Sequence, residues 1–171
     1  MSRLKEKITA FLLQFPPWFK YSESHFNKLQ SLMIQLPSEY KYIVEFRDNS
    51  WFNSDILVQF IDGTQKILGT TYMPELIPYY MKNQKYYYVR LIGDRELIVF
   101  NQIQREQKNA LNNLYENIQG LSKTREVYEI FIIVNNHFQG FAPESVNNLR
   151  KKFGVKFHKF NPQTSLSDYV K

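Results

Sequence analysis

Glu45 and Arg47 stand two residues apart at the end of the apolar run YIVEFR, so an extended chain places both side chains on one face. Arg90 interrupts YYYVRLIG near its end, Gln14 closes FLLQ just before Pro16-Pro17, and Asn135 and Asn136 follow VYEIFIIV. Four apolar runs thus carry their polar exceptions at the same end. A carboxylate in a mouth of low polarity serves as a general acid or base when burial favours its neutral form, whereas arginines beside it favour the charged form and offer a two-pronged anion clamp. Asparagine amides both donate and accept, which suits sugar hydroxyls, amides and carbonyls. The expected roles are Glu45 as acid/base, Arg47 and Arg90 as clamp, and Gln14, Asn135 and Asn136 as binding residues. His137, next in line at a strand end, is a further candidate for the site. The set is compatible with catalysis, with binding alone, and with a structural network of buried charges.

Other chemistries find little support. The chain has no cysteine, so disulfides, thiolate metal sites and cysteine nucleophiles are excluded. His25, His137 and His158 are the only histidines, and no spacing among them and the carboxylates matches a metal triad. There is no Walker motif and no GxGxxG; IDGTQ (Ile61–Gln65) reads as a turn. Ser50 and Ser145 lack the elbow sequence of a serine hydrolase. No cofactor is identified.

The elements that must position these residues are five short runs rich in β-favouring residues: Phe11–Phe15, Tyr42–Phe46, Lys66–Tyr72, Tyr86–Ile92 and Val127–Val134. Most are nearly continuous in apolar character, as strands buried on both faces of a parallel sheet are. Helices are expected at Ser24–Leu36, with Ser22 or Ser24 as N-cap; at Ser54–Ile61; at Gln102–Ile118, closed by Gly120; and at Pro143–Phe153, ended by Gly154. Met73–Lys85 holds Pro74 and Pro78, which argue against a helix there. Alternating strands and helices predict an α/β fold of right-handed βαβ units, whose ligands bind beyond the carboxyl ends of the strands.

A length of 171 residues suits a single domain. No stretch approaches the roughly 20 apolar residues of a membrane span, and the N-terminal run lacks a cleavage site, so a soluble cytoplasmic protein is expected. The net charge of +6 is carried by the end of the chain: residues 121–171 hold eight basic and four acidic side chains, against seven and six in each preceding sixty. The basic run Arg150–Lys159, leading into a basic extension over 155–171, reads as a solvated face or as a segment that binds nucleic acid through phosphates and stacking.

LLQFPPWFKY (Leu12–Tyr21), YIVEFRDNSWF (Tyr42–Phe52), YYYVRLIG (Tyr86–Gly93) and IIVNNHFQGFAPESVNNLR (Ile132–Arg150) together resemble the YecE-like family, the domain of unknown function 72, across about residues 10–152. The resemblance implies a TIM-type α/β barrel and a site, not a reaction, since the family's activity is not established. By position it implies that Gln14, Glu45, Arg47, Trp51, Phe52, Arg90, Asn135, Asn136, Gly140, Ala142 and Pro143 are the recurring residues, with Trp51 or Phe52 as a stacking wall. Two places depart from the family pattern. GTTYMP (Gly69–Pro74) stands where an acidic stretch is usual, and Ile92-Gly93 where His-Gly is usual; both remove polar groups from the implied site.

A complete barrel takes about 250 residues in eight βα units. This chain offers about five, resembling the C-terminal five-eighths of such a barrel, with no counterpart of the family's N-terminal strands. An open parallel edge is costly. The expectation is therefore a partial barrel that closes by homo-oligomerisation or on a separately encoded N-terminal half. Its expected function is to bind a small anionic or polyol ligand at the strand ends. The alternatives are a nucleic-acid-binding module and a non-catalytic subunit of a split barrel.

Overall fold

A computed structural model of the chain describes residues 6–94 and 96–157. The five apolar runs are its five strands: β1 (Phe11–Gln14), β2 (Tyr42–Glu45), β3 (Lys66–Tyr72), β4 (Tyr86–Leu91) and β5 (Glu129–Val134). They form one sheet in sequence order, and every neighbouring pair is parallel. β1 and β5 each have a neighbour on one side only among the described residues.

Register fixes which side chains share a face. Leu13, Val44 and Leu68 are aligned across three strands, as are Val89 and Ile132 across two, and this face carries the helices. Val44, Leu68, Val89 and Leu91 are at most 1% exposed. Each such burial removes an aliphatic side chain from water, an effect of about 1.5–3 kcal/mol. One half of the core packs α1 (Glu23–Gln35) and α2 (Ser54–Leu57) on β1 to β3; the other packs α3 (Lys108–Ser122) and α5 (Ala142–Lys152) on β3 to β5. A fifth helix, the single turn α4 (Asn136–Gln139), follows β5. The opposite face carries Leu12, Gln14, Ile43, Glu45, Thr71, Tyr88, Arg90 and Ile133. It is open at its margins: Leu12 is 37% and Ile133 44% exposed.

Helix boundaries have local causes. Ser22 caps α1, its hydroxyl accepting from the His25 amide at 3.2 Å. Pro143 occupies the first turn of α5, where no amide hydrogen is needed, and Gly154 follows its end at φ 68°. Two expected helices differ. The helix at Ser54 stops at Leu57, and Phe60 and Ile61 turn into the core instead. α3 begins at Lys108 because the Gln104 and Arg105 amides both donate to the Gln139 carbonyl, at 2.8 and 3.2 Å, which draws that stretch against the turn after β5. Gly120 does not close α3 but lies within its last turn. Met73–Lys85 holds no helix, in line with its prolines.

Candidate functional site

The strand ends bring Gln14, Glu45, Arg47 and Arg90 into one hydrogen-bonded cluster on the face opposite the helices. Gln14 and Glu45 are register partners on β1 and β2, and Arg47 lies two residues beyond Glu45. Arg90 comes from β4, with β3 between, where its register partner is Thr71. Glu45 is fully buried, Arg47 is 9% exposed and Arg90 23%. Arg47 grips one carboxylate oxygen of Glu45 through Nε at 2.7 Å and Nη2 at 2.6 Å. Arg90 Nη1 lies 3.3 and 3.4 Å from the two oxygens. Gln14 Oε1 accepts from Arg47 Nη2 at 3.0 Å and from Arg90 Nη1 at 3.5 Å. Arg47 Nη1 donates to the Met73 sulfur at 3.4 Å.

Two positive charges thus share one buried carboxylate, which leaves one positive charge over. A buried carboxylate is tolerable only when paired and hydrogen-bonded, and here both oxygens are engaged. Arg90 uses Nη1 alone; its Nε and Nη2 groups have no acceptor among the described residues. Tyr88 lies close enough to feel both charges. Burial pushes its hydroxyl up, with Arg90 pulling it down and Glu45 pushing it further up. Thr71, in register with Arg90, is 2% exposed, and its hydroxyl has no hydrogen-bond partner among the described residues.

A cavity of about 360 Å³ opens at this end, lined by Gln14, Arg47, Glu75 and Asp94 among others. Asp94 pairs with Arg105, which also pairs with Glu96 at 3.0 Å, so the two carboxylates share one positive charge. A second cavity of about 380 Å³ lies beside it, lined by Tyr72, Leu76, Ala110, Asn113 and Phe138, with no charged side chain in its wall. The Tyr72 hydroxyl donates to Asn113 Oδ1 at 2.7 Å and lies 3.0 Å from the Tyr80 hydroxyl. Met73, Pro74 and Gly93 line both cavities.

The remaining candidates take other places. Trp51 is not a wall of the mouth: it is fully buried, stacked between Phe46 at 4.5 Å and Phe19 at 5.4 Å, with its indole donating to the Phe19 carbonyl at 2.6 Å. A 3-10 turn at Asn49–Trp51, capped by Asp48, breaks the strand's two-residue alternation and turns the indole into the core. Phe52 stacks on Tyr79 at 5.2 Å. Asn135 and Asn136 spend their side-chain oxygens on the His137 and Ala142 amides, capping α4 and the start of α5. Gly140 ends α4 at φ 108°, where an added Cβ would stand 2.7 Å from the Gln102 carbonyl, so a turn requires it. The His137 ring meets Phe100 edge-on at 4.9 Å, and its buried Nδ1 lacks a partner among the described residues. In the basic run, Lys152 bonds Asn112 at 2.9 Å and sits over the Tyr115 ring. His158, Lys159 and most of the 155–171 extension lie outside the described residues.

Tyr88 and Asn113 were not expected at the site, and Tyr72 and Met73 only as part of the Gly69–Pro74 stretch that the resemblance places there, without a role. Tyr88 was within reach, two residues before Arg90 and so on the same face of its strand; the others come from a loop, a helix and the far face, where no periodicity points to the mouth. Among the described residues no cluster of three or more His, Asp or Glu could hold a metal ion, and no helix is long and apolar enough to cross a membrane.

The sequence profile of the family described as "Protein of unknown function DUF72" matches residues 1–168. The chain is similar to a crystal structure of a DUF72 family protein from Thermotoga maritima at 25% identity and a TM-score of 0.62, covering 84% of this chain and 56% of that one. It is also similar to a DUF72 family protein from Enterococcus faecalis at 22% identity and a TM-score of 0.70, covering 96% of this chain and 66% of that one. The chain thus spans less than two thirds of the length of either structure. No curated protein matches it.

Proposed function

This chain belongs to the DUF72 family, and from that premise we propose that it binds a small anion at the carboxyl ends of β1, β2 and β4. The observation that carries this reading is the charge count within the hydrogen-bonded cluster: among the described residues Arg47 and Arg90 pair with Glu45 only, so one guanidinium charge of the cluster is left for a ligand. Glu45 acts as the fixed counter-charge that orients both arginines, and Gln14 holds them in register. Because both carboxylate oxygens are engaged and the asparagine oxygens are spent on backbone amides, the arrangement favours binding over acid–base turnover, and an anion over a polyol.

Calorimetric titration with acetate and inorganic phosphate tests the reading. Saturable binding is expected, weakened by salt and lost in Arg90→Gln without loss of the folded state. Folded protein that binds neither anion overturns it.

A second reading, assembly, is favoured by a separate observation. Both edge strands lack an outer neighbour among the described residues, and Leu12 and Ile133 expose apolar surface beside them. A partner supplying further parallel strands would cover this face. The shares of 56% and 66% of the two solved structures bracket five eighths, the fraction that five strands make of an eight-stranded barrel. Light scattering on a sizing column tests this: a monomer whose β1 and β5 amides are protected from exchange would overturn it.

A further inference from the structure

The two cavities at the strand ends differ in character but share a wall. The first holds the clamp residue Arg47 and the Gln14 amide. The second has no charge in its lining and presents Tyr72, Leu76, Ala110 and Phe138. Each volume falls within the roughly 300–1,000 Å³ of small-molecule sites. The common wall is Met73, Pro74 and Gly93, and Met73 is the only one of the three whose long side chain can swing aside.

Met73 is tied to the clamp. Among the described residues Arg47 Nη1 has only the thioether sulfur as acceptor, at 3.4 Å. A thioether is a weak acceptor, and a carboxylate oxygen in its place would make a charge-assisted bond about twice as strong. An anion arriving at Arg47 therefore displaces the sulfur and frees the side chain that stands between the cavities.

Resting on the anion-binding reading, we propose that the two cavities form one amphipathic site for an organic monocarboxylate with an uncharged apolar tail. The carboxylate lies in the first cavity at Arg47 beside Gln14, with Arg90 behind them on Glu45, and the tail passes Met73 into the cavity of Tyr72, Ala110 and Phe138. A single negative charge fits because the cluster has one positive charge over, and because Glu75 and Asp94 at the rim disfavour a more highly charged head. A neutral tail fits because nothing charged lines the second cavity.

The test is calorimetric titration with acetate, butanoate, hexanoate and octanoate, with hexanamide as the uncharged control. Affinity should rise by about fourfold per methylene once the tail reaches the apolar wall. Hexanamide should bind at least tenfold more weakly than hexanoate. Ala110→Phe, which fills the second cavity from α3, should abolish the chain-length gain while leaving acetate binding intact; Ala110→Leu is the milder replacement should the larger one not fold. Equal binding of all four acids overturns the amphipathic site and leaves the anion site standing. A chain-length gain that survives filling at position 110, or hexanamide binding as tightly as hexanoate, also overturns it. Failure of acetate and inorganic phosphate alike would instead remove the anion site beneath it.

Discussion

Gln14 and Arg90 are separated by 76 residues and three strand positions, yet the Arg90 guanidinium lies 3.5 Å from the Gln14 side-chain oxygen Oε1. The bond spans β2 and β3 and closes the cluster around Glu45. A long cation and a medium-length amide thus reach across two intervening strands, where Glu45 of β2 and Thr71 of β3 lie on the face they share.

Glu45→Ala leaves two guanidiniums facing each other with no counter-charge. Removing one member of a buried ion group costs about 3–5 kcal/mol, and urea denaturation should show a loss of that order. The triple replacement of Glu45, Arg47 and Arg90 by apolar residues of similar size should recover most of it. A loss under about 1 kcal/mol would mean that water already compensates the arginines.

Thr71→Val should be neutral or stabilising. The buried hydroxyl has no partner among the described residues, and exchanging an unpaired hydroxyl for a methyl removes a penalty of about 1–3 kcal/mol at nearly constant shape. Destabilisation by Thr71→Val would reveal a bond to ligand or water at that oxygen.

The two tryptophans give a direct reading of the core. Trp51 is fully buried, whereas Trp18 is 72% exposed. Trp18→Phe should leave blue-shifted emission that iodide does not quench. Trp51→Ala should leave red-shifted, quenchable emission and cost about 3–5 kcal/mol. Equal quenching of both single-tryptophan proteins would contradict the stacked core.

Burial pushes the Tyr72 hydroxyl from 10.0 up to about 12, with its bond to Tyr80 pulling the other way. The folded state therefore holds this proton more tightly than the unfolded chain. Stability tied to it is complete below pH about 10 and is lost as pH rises towards about 12. Tyr72→Phe should flatten that part of the profile in denaturation at a series of alkaline pH values. An unchanged profile would mean that Tyr72 ionises as freely folded as unfolded.

The strands were legible because they are buried on the helix face and shielded over much of the other, so their composition is continuous and β-rich; four of the five begin at the expected residue. The clustering of Gln14, Glu45, Arg47 and Arg90 was legible for a related reason, since a polar residue ending an apolar parallel strand stands at the sheet's carboxyl edge. Local backbone needs were less legible: Trp51, implied at the site by the resemblance alone, ends a capped 3-10 turn that carries it into the core, and Asn135 and Asn136 stand where the chain starts a helix and give their side-chain oxygens to backbone amides. The late start of α3 depended on a carbonyl at Gln139, a long-range contact that no local pattern carries.

The strand order has a consequence for how the protein is made. Each strand pairs with the one translated immediately before it, so no pairing waits for a distant partner. The order of synthesis is also an order in which the sheet can grow, one helix-linked strand at a time, against an edge already in place.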